Sequence, residues 1–362
     1  MANPPVEHFS VGLGLTDDAF DRLIRDKSTP KITLLMPPRP PGHPIAEDET
    51  RLRSMVTSAV RKLTDSGVDE KKAKEMFDGL LEGVDHRGPD STSSRAIFVS
   101  EEQRTVVTVP IELGERVVMG QNFALTPLAP LVKPARFVVV ALNKGGVDAA
   151  LATRFGYEPL ELPGAPSGLA EVTQYSDIER QLQSHSVGGG GQSFHGHGGM
   201  ENKESEDLHR YAGMVEAAVE KAVGDGIRAH SVFGPPALVA EYRKAVSNSA
   251  IDVYPITTNP SSVGLDELHK RAAAELGDVV SRTTNAVSHY NRVAGSDKCV
   301  RDLPTITGAS SQGKVHALLF NAEWLTDNDP DVIEGAAVET WRNSGEVHQT
   351  DEVDGGAAIL RY

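Results

Sequence analysis

The sequence predicts an α/β fold arranged as three consecutive α/β domains, each with a mixed sheet flanked by helices. Continuous apolar runs such as Lys31–Met36 and Arg136–Leu142 have the length and the β-branched content of buried strands. Apolar residues between Glu47 and Leu63 recur at three- and four-residue spacing, which is typical of an amphipathic helix. Strand and helix patterns alternate along the whole chain, and this alternation indicates the α/β class.

Polar breaks divide the pattern near residues 133 and 262, which predicts domains 1–133, 134–262 and 263–362. In the first domain we predict a strand at 31–36, helices at 47–63 and 70–81, and a hairpin of strands 96–100 and 105–109. In the second we predict strands at 136–142, 147–155, 158–162, 229–233 and 251–256, helices at 205–223 and 235–246, and a glycine-rich loop within 165–204. In the third we predict a long helix at 265–293, an irregular or briefly helical stretch at 299–311, strands at 315–320 and 355–362, and a helix at 331–341.

The composition is that of a globular protein without membrane segments. Of its 362 residues, 39% are hydrophobic and 24% charged, and no apolar run approaches the ~20 residues that span a bilayer. The first residues lack the basic and apolar regions of a signal peptide. A single cysteine, Cys299, excludes an intrachain disulfide and a cysteine-rich metal site. Together these features predict a cytoplasmic protein. No cofactor is predicted.

The net charge of −15 is unevenly distributed. Residues 1–133 carry 17 basic and 20 acidic side chains, whereas residues 263–362 carry 9 and 16. Because nucleic acids repel acidic surfaces, RNA contacts are expected in the nearly neutral N-terminal part. Arg51 and Arg53 on the helix predicted at 47–63 are candidates, although such arginines are often only a solvated helix face. The acidic C-terminal part favours a protein partner.

Four glycines, Gly188 to Gly191, precede Gln192 in the middle of the chain. Glycine permits backbone conformations that side chains forbid, so a stalk of this kind can enter a confined site and present a neutral amide. The tripeptide Gly190-Gly191-Gln192 is also that of the loop of peptide-chain release factors. A glycine-rich tract is equally typical of a flexible linker. Phe194 favours a functional loop, because an aromatic side chain is unexpected among linker glycines.

The chain resembles bacterial relatives of the archaeo-eukaryotic release factor and Pelota family. The stretches Gly313–Phe320 and Gly355–Tyr362 are similar to the family's C-terminal domain, and the central Gly-Gly-Gln loop stands in the family's order. The resemblance implies an eL30-like C-terminal domain and a central release-factor-like domain. It further implies a factor that binds the tRNA-binding A site, in ribosome hibernation under stress or in ribosome rescue.

The resemblance also implies partners and site residues. The partners are the ribosome with its rRNA and tRNA, and a translational GTPase contacted through the acidic C-terminal domain. Gly190, Gly191 and Gln192 would carry peptidyl-tRNA hydrolysis, and Phe194, His195, His197, Arg51 and Arg53 would contact rRNA. No Lys or Arg follows Gln192 before Lys203, which favours binding over efficient hydrolysis.

Two other interpretations of the loop are open. His195 and His197 could share a metal ion, but neither a neighbouring cysteine nor a His-Glu-x-x-His pattern accompanies them, so no metal is predicted. A free-standing hydrolase with the loop as an active-site lid is the alternative function. The sequence contains no Gly-x-Ser-x-Gly elbow and no Walker loop that would favour it.

Overall fold

A computed structural model describes residues 4–39, 44–84, 93–175, 198–224, 226–256 and 260–362. The fold contains three mixed sheets flanked by helices, as the sequence predicts. Packing groups residues 1–134 with 282–362 in one compact unit and residues 135–281 in a second. The division into three domains at 133 and 262 stays a prediction.

The N-terminal sheet has strand order β1-β4-β3-β2-β5. Strand β2 lies inside the sheet, and its six residues are all buried, which explains its continuous apolar run. Strands β3 and β4 pair antiparallel as the predicted hairpin. The elements are β1 (Val6–Ser10), α1 (Asp17–Arg25), β2 (Lys31–Met36), α2 (Ile45–Asp65), α3 (Glu70–Glu75), α4 (Leu80–Gly83), β3 (Ser94–Val99), β4 (Arg104–Val109), β5 (Arg116–Gly120) and a 3-10 helix (Thr126–Leu131).

The helix predicted at 70–81 is in fact two short helices, α3 and α4. Gly79 separates them with a backbone φ of 78°, in the left-handed region that glycine adopts without strain. The apolar spacing continues through this break because Ala73, Met76, Phe77 and Leu80 all pack in the same core. The periodicity therefore reports the shared core and does not reveal the turn.

The second unit is built on a sheet of order β10-β9-β6-β7-β8. Strands β6, β9 and β10 are parallel, and β7 and β8 continue antiparallel from β6. The elements are β6 (Phe137–Asn143), β7 (Gly146–Ala152), β8 (Tyr157–Leu160), α5 (Gly198–Val223), β9 (Ala229–Phe233), α6 (Pro236–Ala245), β10 (Asp252–Ile256) and α7 (Leu265–Leu276). Helices α5 and α6 cover one face of the sheet, and α7 packs in the core on the other.

The C-terminal sheet has strand order β11-β14-β12-β13. Strand β14 lies antiparallel between β11 and β12, and β12 pairs parallel with β13. The elements are α8 (Arg282–Val293), β11 (Cys299–Val300), α9 (Leu303–Ser311), β12 (Val315–Phe320), α10 (Ala322–Asp327), α11 (Pro330–Arg342), β13 (Glu346–Gln349) and β14 (Gly356–Leu360).

The prediction of one long helix over 265–293 is wrong. Helix α7 ends at Leu276, and α8 begins at Arg282. The intervening residues include Gly277, Asp278 and Ser281, which are poor helix formers. Leu268, Ala272 and Leu276 pack against the central sheet, whereas Ala286 and Val287 pack against β12 and β14. Two separate cores therefore share one uninterrupted run of helical spacing.

Within the first unit, α11 binds the segment that follows β5. Asp331 accepts hydrogen bonds from the backbone N–H groups of Gln121 (2.9 Å) and Asn122 (3.2 Å). Glu334 accepts from the backbone N–H groups of Leu125 (2.9 Å) and Thr126 (3.1 Å). Two carboxylates one helical turn apart thus join the N-terminal and C-terminal parts of the unit through backbone groups that would otherwise need another partner. None of the described helices is both long enough and apolar enough to cross a membrane.

Candidate functional site

The predicted loop residues Gly190, Gly191, Gln192, Phe194, His195 and His197 lie outside the described residues. The structure does describe both flanks of this loop. Residues 169–175 are helical on one side, and α5 begins at Gly198 on the other. The geometry of the two flanks therefore fixes where the loop is attached.

Both flanks are bound to the β6–β7 turn, residues 143–146. On the first flank, the backbone N–H of Leu169 donates to the carbonyl oxygen of Lys144 at 2.9 Å. On the second, the Tyr211 hydroxyl donates to the carbonyl oxygen of Asn143 at 2.9 Å. The Lys144 ammonium also lies 3.0 Å from the Glu204 carboxylate. The loop is consequently attached at the carboxyl end of β6, the end of a parallel sheet at which open α/β folds usually carry their sites.

Gly168 permits the close contact between the first flank and the turn. A Cβ atom at Gly168 would lie 3.0 Å from the carbonyl oxygen of Lys144 and 3.2 Å from the carbonyl carbon of Gly145. Any larger residue would push the flank away from the turn. Ser167 reinforces this start, since its backbone N–H (2.9 Å) and its hydroxyl (2.8 Å) both donate to Glu171. These two hydrogen bonds lower the pKa of the Glu171 carboxyl.

Buried polar side chains lie where β9 meets α5 and α6 in the same unit. His230 of β9 is fully buried, and its Nδ1 lies 3.1 Å from the hydroxyl of Tyr242. Burial lowers the pKa of His230 to about 4, so the imidazole is neutral at physiological pH. Burial and the neighbouring Glu220 raise the pKa of Glu216 on α5. Sequence patterns gave no sign of these buried polar side chains, because His230 falls inside a short apolar strand.

The two predicted RNA-binding arginines occupy different surroundings on α2. Arg53 is exposed and forms an ion pair with Glu49, one turn earlier, at 2.5 Å. Arg51 is partly buried and lies 3.5 Å from Glu115 and 4.0 Å from Asp48. The structure does not bring these two guanidinium groups into one site.

Two further arginines, which no sequence pattern connects with it, join Arg51. Arg39 follows β2, Arg95 lies on β3, and their guanidinium groups lie 3.6 Å and 3.4 Å from Asp48. Asp48 is itself buried. We call the group of Arg39, Arg51, Arg95 and Asp48 the Asp48 cluster. Its members are up to 56 positions apart, and only the pairing of β2 with β3, which sets Met36 opposite Arg95, brings them together.

Metal binding finds no support in the described part of the chain. No three His, Cys, Asp or Glu side chains there are placed so that they could hold an ion. Two imidazoles of the described residues, His289 and His316, contact each other with ring centroids 5.4 Å apart. His195 and His197 lie outside these residues.

The C-terminal motif Gly355–Tyr362 has a clear steric basis. Gly355 has a φ of 72°, which favours glycine, and its carbonyl oxygen accepts from the backbone N–H of Asn321. At Gly356 a Cβ atom would lie 2.5 Å from Cζ2 of Trp324, because the indole of α10 covers this residue. The two glycines thus let β14 pass beneath α10, and the apolar residues after them enter the sheet core.

Comparison with known proteins bears on the central unit most directly. Residues 137–276 match the sequence model of bacterial archaeo-eukaryotic release factor family 7, and this region is less than half of the chain. Over these residues the chain is related to the archaeo-eukaryotic release factors. The resemblance predicted from the sequence is therefore confirmed, and it supports a translation-factor role for this release-factor relative. No curated protein matches the chain.

Solved structures give weaker likenesses to this release-factor relative. Archaeal Pelota, from a model of ribosome-bound Pelota and ABCE1, is 17% identical over 76% of this chain and 79% of its own, with a TM-score of 0.41. Saccharomyces cerevisiae Dom34, described as a translation termination-like factor interacting with Hbs1, is 15% identical over 77% and 82%, with a TM-score of 0.37. Archaeoglobus fulgidus Pelota is 14% identical over 75% and 79%, with a TM-score of 0.35.

Proposed function

We propose that this protein is a ribosome-associated factor that occupies the tRNA-binding A site in hibernation or rescue of ribosomes. The observation that carries the proposal is the match of residues 137–276 to a release factor family, because that region contains the whole predicted loop. The anchored flanks support it. A loop fixed to the 143–146 turn at both ends can present its central residues away from the core of the unit. Binding to the ribosome would place the protein in the cytoplasm.

RNA contacts are proposed for two parts of the chain. Phe194, His195 and His197 follow the tripeptide and would contact rRNA, with Phe194 stacking on a base. Arg51 and Arg53 on α2 would contact rRNA phosphates from the N-terminal part. The acidic net charge of −15 opposes binding to RNA at long range, so we expect modest intrinsic affinity and a strong dependence on salt.

Peptidyl-tRNA hydrolysis is the second candidate activity of the same loop. Ester hydrolysis needs a water molecule beside the ester carbon and a donor for the oxyanion that develops on the carbonyl oxygen. Backbone at Gly190 and Gly191 can approach closely because it carries no side chain. The backbone N–H of Gln192 could serve as the oxyanion donor, and its neutral amide could orient the water. The scarcity of basic residues after Gln192 favours binding without efficient hydrolysis.

A translational GTPase is the proposed protein partner of the C-terminal part. Exposed acidic residues lie on α10 and on the turn before β14, and these two elements are adjacent because Trp324 packs over Gly356. The residues are Glu323, Asp327, Asp351, Glu352 and Asp354. A surface of this sign complements a basic surface on a partner protein and repels rRNA.

Co-sedimentation with 70S ribosomes tests the binding proposal, and single-turnover release from P-site peptidyl-tRNA tests the chemistry. We expect the wild type to sediment with idle ribosomes at moderate salt and to release little peptide. If release does occur, the Gly191→Ala variant should abolish it and keep ribosome binding, while Gln192→Ala should be milder. Release that Gly191→Ala leaves unchanged would contradict the assignment of the chemistry to this loop.

The alternative function is a free-standing hydrolase. Among the described residues beside the two loop flanks, we find no catalytic group that would support it. A groove of about 520 Å³ at the 143–146 turn is lined by Asp148, Glu161 and Ser167, and no histidine is among its described lining residues. The Ser167 hydroxyl donates to the Glu171 carboxylate, whose lowered pKa makes it a much weaker base than histidine, so Ser167 is a weak nucleophile. Ester hydrolysis by the ribosome-free protein, lost in Ser167→Ala, would favour this alternative.

A further inference from the structure

We propose that Arg39, Arg51 and Arg95 of the Asp48 cluster form an anion site that binds a phosphate group of RNA. The inference rests on the proposed function for the source of the phosphate, since a ribosome-bound factor meets RNA backbone. The site itself is argued from the charge, the distances and the exposure of the cluster.

The cluster carries an excess of positive charge at short range. Three guanidinium groups share the one buried carboxylate of Asp48, and Glu115 lies near Arg51 at the rim. Arginines do not lose their protons in proteins, so the three side chains stay cationic. Three positive charges against two negative ones leave an excess of one, and Glu115, with 53% of its side chain exposed, is screened by water. An anion placed among the three guanidinium groups would meet attraction from all of them.

The guanidinium groups have donors to spare. Three arginines offer about fifteen N–H donors, yet among the described residues they form only two hydrogen bonds, from Arg95 to Asp48 (3.4 Å) and from Arg51 to the carbonyl oxygen of Pro37 (3.4 Å). Charge-assisted hydrogen bonds of full strength are shorter, at about 2.7–2.9 Å. For comparison, the ion pair of Arg282 with Glu346 in the same unit has a distance of 2.8 Å between guanidinium nitrogen and carboxylate oxygen.

The arginines are sheltered but reachable. The exposed fractions of their side chains are 11% for Arg95, 20% for Arg39 and 24% for Arg51, whereas Asp48 has 3%. The carboxylate is therefore buried more deeply than the three arginine side chains, each of which keeps a part accessible to solvent. Partial burial strengthens an electrostatic contact with a ligand relative to a more exposed side chain such as Arg53, of which 60% is exposed.

Backbone geometry adds to the attraction. Asp48 lies in the first turn of α2, a helix of 21 residues whose first residue follows Pro44 without a side-chain cap. The amino end of a long helix carries a partial positive charge. Arg39 and Arg95 reach this end from the carboxyl end of β2 and the beginning of β3. Arginines from outside α2 are thus brought to its amino end, where Glu47 and Asp48 occupy the first turn.

The alternative explanation is that the arginines only neutralise Asp48 and hold α2 on the sheet. The Asp48→Asn variant separates the two. It keeps the shape and one oxygen acceptor but removes the negative charge that competes with a ligand. An anion site should then bind phosphate several-fold more tightly, whereas a purely structural cluster gains nothing and loses stability.

The experiment follows the Nε–H signals of Arg39, Arg51 and Arg95 by NMR during titration of the full chain, with the exposed Arg25 of α1 as the control. The probes are inorganic phosphate, at ionic strength matched with chloride, and a short single-stranded RNA oligonucleotide. We expect saturable shifts at the three cluster arginines and none at Arg25. Arg95→Gln should weaken RNA binding about tenfold and reduce the slope of log K against log salt by about one, while Arg25→Gln leaves the slope nearly unchanged.

The outcomes separate the site from its ligand and from the proposed function. Shifts with phosphate but none with RNA would keep the anion site and overturn RNA as the source, leaving a small phosphorylated molecule as the ligand. No shift with either probe in a protein whose thermal unfolding is normal would overturn the proposal. If the wild type fails to sediment with ribosomes while the shifts with RNA persist, the proposed function fails and the site stands.

Discussion

Glu334 accepts hydrogen bonds from both the backbone N–H (3.1 Å) and the hydroxyl (2.5 Å) of Thr126, a residue 208 positions earlier in the chain. With the further bond from Leu125, one buried side chain satisfies three donors of the N-terminal part. An interaction this distant in sequence can form only when both parts of the unit have folded. Glu334 therefore couples the stability of the N-terminal and C-terminal parts.

The Glu334→Ala variant should destabilise the first unit by about 3 kcal/mol, because it leaves two buried N–H groups without an acceptor. Thr126→Val removes only the hydroxyl and should cost about 1 kcal/mol. Urea unfolding followed by the fluorescence of Trp324 and Trp341, both in this unit, measures the difference. Equal unfolding midpoints for Glu334→Ala and the wild type would contradict the coupling.

The same carboxyl predicts a pH dependence. Burial raises the pKa of Glu334 to about 7, above its ordinary value of 4.5. The folded unit then binds more protons than the unfolded chain between these two values. The stabilising contribution is full below about pH 4.5 and is lost as pH rises through 7. We therefore expect the free energy of unfolding of the wild type, measured relative to that of Glu334→Gln, to be lower at pH 8 than at pH 5.

His230 predicts the opposite trend in the second unit. Its folded pKa of about 4 lies below the ordinary value of 6.5, so the unfolded chain binds the extra proton between these values. The stability of this unit should rise as pH increases from about 4 to 6.5. Hydrogen exchange of the β6 and β9 amides measures the stability of this unit alone, and it should be compared between wild type and His230→Gln. A parallel pH dependence in the variant would show that another group is responsible.

Gly356→Ala should destabilise the C-terminal sheet strongly, by roughly 2–4 kcal/mol, because the added methyl group overlaps the Trp324 indole. Gly308 in α9 offers a matched control, since a Cβ atom there meets nothing within 4 Å. Gly308→Ala should be neutral or stabilising by about 0.5–1 kcal/mol. Thermal unfolding compares the two. A normal melting temperature in Gly356→Ala would mean that the indole moves aside freely.

Sequence patterns predicted the buried strands well and the breaks between helices poorly. Lys31–Met36 and Phe137–Asn143 are recognisable because burial on both faces leaves an uninterrupted apolar run. Strands β1, β5 and β13 were not predicted, since short strands with half-buried side chains show little periodicity. The break at 277–281 went unrecognised because two different cores demand the same helical spacing on either side of it.

The residues of the candidate site also differ in how well the sequence reveals them. Gly190-Gly191-Gln192 is recognisable from the sequence because a contiguous tripeptide carries the signal. Arg39 and Arg95 were not recognisable as partners of Arg51, because strand pairing and not sequence distance brings them to Asp48. The buried acceptor role of Glu334 is likewise invisible, since its helix spacing fits an ordinary core position.

Competition with tRNA on vacant 70S ribosomes shows whether the protein occupies the A site. The measurement is the amount of labelled tRNA retained at the A site as the protein is added, with P-site tRNA as the internal control. We expect the protein to release A-site tRNA at a ratio approaching one protein per ribosome and to leave P-site tRNA bound. Ribosomes that bind the protein and retain their A-site tRNA, or that do not bind the protein at all, would contradict it.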